Sequence, residues 1–145
     1  MLDVTAEIEI AAEPTDIAAV MFDPQRDPEW LAVVRKVEVL DPGIKPGARV
    51  RREGSLRGLD VSWTTEVVAF HFPHLLELRI AEGPIAGSVA YHVTRSAGGS
   101  VARIRTAGSV DGVGLPAAIL AGPVRAALTA DLRRLKAIVE QAAGR

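Results

Sequence analysis

Cysteine is absent from this 145-residue sequence, which excludes a disulfide scaffold, thiolate metal sites and cysteine nucleophiles together. Histidine is scarce, with three residues, and the only histidine pair, His71 and His74, has HxxH spacing but carries Pro73 between its members. Proline forbids the helix on which such a pair would share a face, and no third ligand accompanies it, so no metal site is expected. Aromatic residues amount to 4% of the chain, and the net charge is −1. Nothing in that balance draws in nucleic acid, and the arginines at 49, 51, 52 and 57 lack the interleaved aromatics of a stacking platform.

No apolar run approaches the roughly 20 residues that span a bilayer, because Gly122, Pro123 and Arg125 break the longest C-terminal stretch. The first residues, Met1-Leu2-Asp3-Val4-Thr5-Ala6-Glu7, have neither the basic nor the apolar region of a secretory signal. A cytoplasmic protein without stable membrane insertion is expected. No glycine-rich nucleotide fingerprint, P-loop or GxSxG elbow occurs, and Asp111-Gly112-Val113-Gly114 reads as a hinge between the last strand and the last helix. No cofactor is implied.

What is present is patterning. Hydrophobic residues make up 48% and charged residues 24% of the chain, a globular balance in a length that suits one domain over residues 1–145. Residues 2–10 alternate, with Val4, Ala6, Ile8 and Ile10 on one face of a strand. Pro14-Thr15-Asp16 starts a short helix that Asp23-Pro24 stops. Asp27-Pro28-Glu29-Trp30 starts another, with Asp27 as N-cap and Trp30, Leu31 and Val34 as its buried stripe. Strands then follow at 37–40, 49–56, 59–72, 75–82, 88–95 and 101–110, separated by turn residues. The final segment, 115–142, places Leu120, Val124, Leu128, Leu132, Leu135 and Val139 at helical spacing, with Gly122-Pro123 as a kink or division.

Short turns forbid parallel crossovers, so the fold class is α+β: a curved, seven-stranded antiparallel sheet wrapped around one long C-terminal helix, with two short helices after the first strand. A helix about 10 Å across cannot fill the concave side of so wide a sheet. A ligand cavity is therefore expected. Strand parity turns Val61, Val67, Leu78, Ile80, Val89, Ile104, Val124, Leu128 and Leu135 inward.

The same order and spacing resemble the START-related helix-grip superfamily, which includes polyketide cyclases and dehydrases, coenzyme-Q-binding proteins, lipid-transfer domains and birch-pollen allergens. The resemblance is carried by Pro14, Ile17 and Met21, by Asp27-Pro28-Glu29-Trp30 leading into Val37-Glu38-Val39-Leu40, by Gly47-Ala48-Arg49-Val50, and by Leu128, Asp131, Leu132, Leu135, Lys136 and Glu140. It implies the helix-grip fold and a hydrophobic ligand cavity, and leaves the reaction, if there is one, open.

Among inward positions Arg52 stands out, since a buried arginine needs a partner. A tight turn at Arg57-Gly58 sets it opposite Trp63, on the face of Thr65, where guanidinium and indole can stack. A hairpin centred on Gly98-Gly99 sets Tyr91 opposite Thr106. Arg52, Trp63 and Tyr91 are expected to line one pocket, with Thr65 and Thr106 as further polar contacts and Met21 or Trp30 closing another side. His92, Asp23, Asp27 and Glu29 are expected at the surface or in caps. The leading reading is a module that encloses a small hydrophobic or amphipathic molecule. The alternative is a cyclase or dehydrase in which Arg52 stabilises an oxyanion and Tyr91 transfers a proton. A third reading, a homodimer through the small residues Ala117, Ala118, Ala121 and Gly122, rests on close helix contact.

Overall fold

A computed structural model describes residues 1–56, 58–84, 86–109 and 115–144. The elements are β1 (Leu2–Ile10), α1 (Pro14–Met21), a 3-10 turn (Pro24–Arg26), α2 (Asp27–Trp30), β2 (Val34–Val39), β3 (Arg49–Leu56), β4 (Leu59–His71), β5 (Leu75–Glu82), β6 (Gly87–Ser96), β7 (Gly99–Gly108) and α3 (Ala117–Ala143). The seven strands form one antiparallel sheet in the order β1-β7-β6-β5-β4-β3-β2, so β1 closes onto the last strand of a meander. This is the helix-grip arrangement expected from the order of elements. The expected hinge at 111–114 lies outside the described residues.

Three irregularities bend the sheet around α3: between Val34 and Lys36 in the β2/β3 pair, and at Thr64/Thr65 and Val67/Ala69 in the β4/β5 pair. Each bulge inserts a residue and increases local twist. They also reset parity along β4, so that Thr64 and Thr65 are both buried and Phe70 joins Val67 against the core. Near the first bulge the chain crosses tightly over β3. A β-carbon at Gly54 would lie 1.6 Å from the Val33 carbonyl oxygen, so glycine alone allows this approach.

The apolar side chains form two clusters. The larger joins α1, Trp30 and the sheet to Leu132, Leu135 and Val139 of α3. The smaller gathers Leu2 and Val4 with Ala117, Leu120, Ala121, Val124 and Leu128, from the first half of the same helix. Electrostatics fix the far end of α3, where Glu140 accepts the Ala11 N–H at 2.8 Å and Lys136 donates to the Glu9 carbonyl at 2.9 Å. These contacts hold the Glu140 carboxyl below its ordinary value, the Ala11 amide first and Lys136 second. The convex face is laced with ion pairs, including Arg35–Asp60 at 2.7 Å, Arg51–Glu53 at 2.6 Å and Arg79–Glu66. Of the arginine cluster, Arg49 and Arg51 are solvated and paired, with Asp41 and Glu53, Arg52 is buried, and Arg57 lies outside the described residues.

Several expectations need correction. α2 is a single turn ending at Trp30, and Val34 opens β2 rather than completing a helical stripe. The helix α3 is assigned without a break through Gly122-Pro123. The β6/β7 hairpin pairs Ser96 with Gly99, so Tyr91 faces Ile104 and Thr106 faces Val89. Centring the turn one residue earlier moves every cross-strand partner by two, which preserves the face and changes the neighbour.

Candidate ligand cavity

The β3/β4 register sets Arg52 opposite Trp63, as the two-residue turn requires. Their side chains then go to different places. Arg52 donates from Nε to Asp27 Oδ2 at 2.6 Å and from Nη1 to Thr65 Oγ1 at 2.6 Å. Asp27 is 1% exposed and Arg52 6%, so this is a buried ion pair and not a helix cap. The cap belongs to Asp23, whose Oδ1 accepts the Gln25 N–H at 3.0 Å. Burial raises the Asp27 carboxyl above its ordinary value, more than the adjoining guanidinium lowers it. Arg52 borders a small cavity of about 190 Å³ with Phe22, Ile44, Val50 and Leu78.

Tyr91 lies in the aromatic core, stacked on Phe22 with centroids 6.3 Å apart and edge-on to Trp30 at 5.7 Å. Burial pushes its phenol well above the ordinary value, with the Asp27 charge adding to the shift and Arg52 opposing it. It is a neutral group at physiological pH. Met21 and Trp30 are fully buried in the same core.

The larger space lies elsewhere. A cavity of about 440 Å³ opens between the β3/β4 hairpin, the end of β5 and the first half of α3, walled by Val61, Trp63, Ile80, Val124, Leu128 and Asp131 among others. An adjoining space of about 200 Å³ shares Ile80 and Val124 with it and includes Thr106. Among the described residues the 190 Å³ and 440 Å³ cavities have no wall residue in common. Trp63 and Thr106 thus border the large cavity and its extension, Arg52 borders the separate small one with Thr65 buried beneath it, and Tyr91 borders none of the three. Arg52, Trp63 and Tyr91 therefore share none of these three spaces.

The burial pattern follows this division. Val67, Leu78, Ile104 and Leu135 are buried as expected, whereas Val61, Ile80, Val89, Val124 and Leu128 are only half-buried. Four of the latter five wall the large cavity. Their faces are inward, and their packing is incomplete.

Sequence reasoning missed two residues here. Asp27 carries a cap signature, and its partner is 25 positions away. Asp131 falls between Leu128 and Leu132 on the apolar stripe of α3, and a carboxylate on a buried helix face was the signal that could have found it. Burial raises its carboxyl, opposed by the Ala32 amide and by Arg134. Among the described residues no group of three or more metal-ligating side chains comes together, and His74 instead sits with Nδ1 2.9 Å from the Val93 carbonyl oxygen.

A meandering sheet gripping a C-terminal helix around an apolar space defines a helix-grip protein. The profile of the family described as "Polyketide cyclase / dehydrase and lipid transport" matches residues 1–140, and the chain belongs to that family. No curated protein matches its sequence. Among solved structures it is similar to protein TTHA0849 from Thermus thermophilus, with a TM-score of 0.79, 18% identity and coverage of 97% of this chain and 98% of that one. It is also similar to the ZhuI aromatase/cyclase of a Streptomyces species, with a TM-score of 0.73, 20% identity and coverage of 96% and 93%. A third likeness is to Ara h 8.0201, with a TM-score of 0.72, 14% identity and coverage of 94% and 96%. At these identities the likenesses speak for the fold. Among the described residues no helix is long and apolar enough to cross a membrane.

Proposed function

We propose that this protein binds a small hydrophobic or amphipathic molecule in the cavity beside Trp63. The observation that carries the reading is the set of inward, apolar, half-buried residues around about 440 Å³ of space. Ligand pockets commonly measure about 300–1,000 Å³, so a volume of this size suits a compact ligand, and the 190 Å³ space beside Arg52 falls short. Leaving such surface unpacked forgoes about 25 cal/mol for each Å², a cost that a ligand would recover.

Binding is favoured over cyclase or dehydrase chemistry by the placement of the two candidate catalytic groups. The Arg52 guanidinium is engaged by Asp27 and Thr65, and the Tyr91 phenol is held among aromatic rings with its acidity suppressed. Neither meets the requirement that a reacting group stand beside the reacting atom.

The chain has two tryptophans, and Trp30→Phe leaves Trp63 as the sole reporter on the cavity wall. In that background, titration with 1-naphthalenemethanol is expected to change Trp63 emission saturably. Filling the space with Val61→Phe and Val124→Phe is expected to weaken binding about tenfold or more. An unchanged emission, or equal affinity before and after filling, rejects this cavity as the site.

A further inference from the structure

Asp131 is a carboxylate in the wall of a mostly apolar cavity, on a helix face where the neighbouring seam positions are Leu128, Leu132 and Leu135. It is 7% exposed. Its Oδ1 accepts from the Ala32 N–H at 3.2 Å and from Arg134 Nη2. Arg134 also donates from Nε to the Trp30 carbonyl at 3.0 Å, so its guanidinium is fixed on the α2 side of the helix. Oδ2 accepts from no described residue. Among the described residues the one fully enclosed side-chain polar atom without a partner is Trp30 Nε1, so the unbonded Asp131 Oδ2 is not fully enclosed, and Asp131 borders the large cavity. Among the described residues of that cavity's wall, Asp131 carries the sole charged side chain.

We infer that Asp131 Oδ2 is the polar anchor of the cavity and that the ligand carries a hydrogen-bond donor, a hydroxyl or a protonated amine, on an apolar body flat enough to lie against Trp63. The inference rests on the binding function proposed above and narrows its ligand class. An ionised carboxylate accepts and cannot donate. A ligand acid brought to Oδ2 would meet a like charge in an apolar wall, whereas a hydroxyl or ammonium would form a charge-assisted hydrogen bond. The polarity is opposite to the one expected from an inward Arg52, which would have favoured anions and carbonyl oxygens.

The test uses four probes of one ring size, with binding to the full chain measured by calorimetry: 1-naphthalenemethanol, 1-naphthalenemethylamine, 1-methylnaphthalene and 1-naphthoic acid. The alcohol or the amine is expected to bind about tenfold or more tighter than the acid and the hydrocarbon. Preference for the amine assigns a cationic ligand, and preference for the alcohol a neutral one. Asp131→Asn keeps an oxygen for the Ala32 N–H and should retain the fold, checked by its thermal melt. It is expected to abolish the discrimination against naphthoic acid and to weaken the amine about tenfold. Naphthoic acid binding as tightly as the alcohol and the amine in the wild type overturns the inference, a result that needs no variant, and so does an unchanged ranking in folded Asp131→Asn. If none of the four binds, the cavity function itself fails and this inference with it; equal binding by all four rejects the donor requirement alone.

Discussion

Asp27→Ala is expected to destabilise the protein by about 3–5 kcal/mol, lowering the melting temperature by on the order of 10 °C. Arginine stays cationic in proteins, so removing its carboxylate partner leaves a charge enclosed in the core with one hydroxyl, Thr65 Oγ1, against it. The pair is not itself a large source of stability. Burial raises the Asp27 carboxyl above its unfolded value, so the folded chain holds that proton more tightly than the unfolded chain does. Its contribution therefore falls as pH rises from the ordinary carboxylate value through the raised one. The double replacement Asp27→Ala with Arg52→Met is accordingly expected to recover most of the loss, because two apolar residues remove both desolvation costs. Urea denaturation of the three variants checks this. A single-variant loss below about 1 kcal/mol would mean that water reaches the guanidinium.

Trp30→Ala is expected to cost about 3–5 kcal/mol, the range for deleting a large aromatic from a close-packed interior. Trp30 is fully buried, meets Tyr91 edge-on, and anchors the one-turn helix α2 under α3, where its carbonyl accepts from Arg134. Trp30→Phe should cost distinctly less, because the ring body remains and the indole N–H, which has no partner among the described residues, is removed. The comparison by equilibrium unfolding separates ring volume from the polar atom. Equal losses in the two variants would contradict this division.

How far the sequence carried these conclusions depends on the distance over which each signal acts. Alternation along a strand and a two-residue turn are local, and together they set Arg52 inward and opposite Trp63. The same reasoning placed Tyr91 wrongly, because adjacent glycines at 98 and 99 offer two turn centres and hydrophobic parity is blind to a shift of two. Asp27 was misread because Asp-Pro is also how a helix begins, and the arginine that makes it a core residue lies on β3. The half-empty region beside Trp63 had no local signature either. Its wall residues look like core in the sequence, and only the path of α3 relative to the curved sheet shows that their packing is incomplete.

The division of α3 between two apolar clusters has a consequence for motion. Its second half is locked into the main core through Leu132, Leu135 and Val139, while its first half rests on the small cluster with Leu2 and Val4. Pro123 has no N–H to offer the Ile119 carbonyl one turn before it, which weakens the helix within the stretch that contacts the smaller cluster. The first half is therefore expected to open while the second stays closed. In hydrogen–deuterium exchange the amides of 118–128 are expected to exchange through this partial opening well before those of 132–139, and uniform protection along the helix would refute it. Because Val124 and Leu128 wall the large cavity, the segment expected to open first is also the one that would stand between a ligand of the proposed kind and the space beside Trp63.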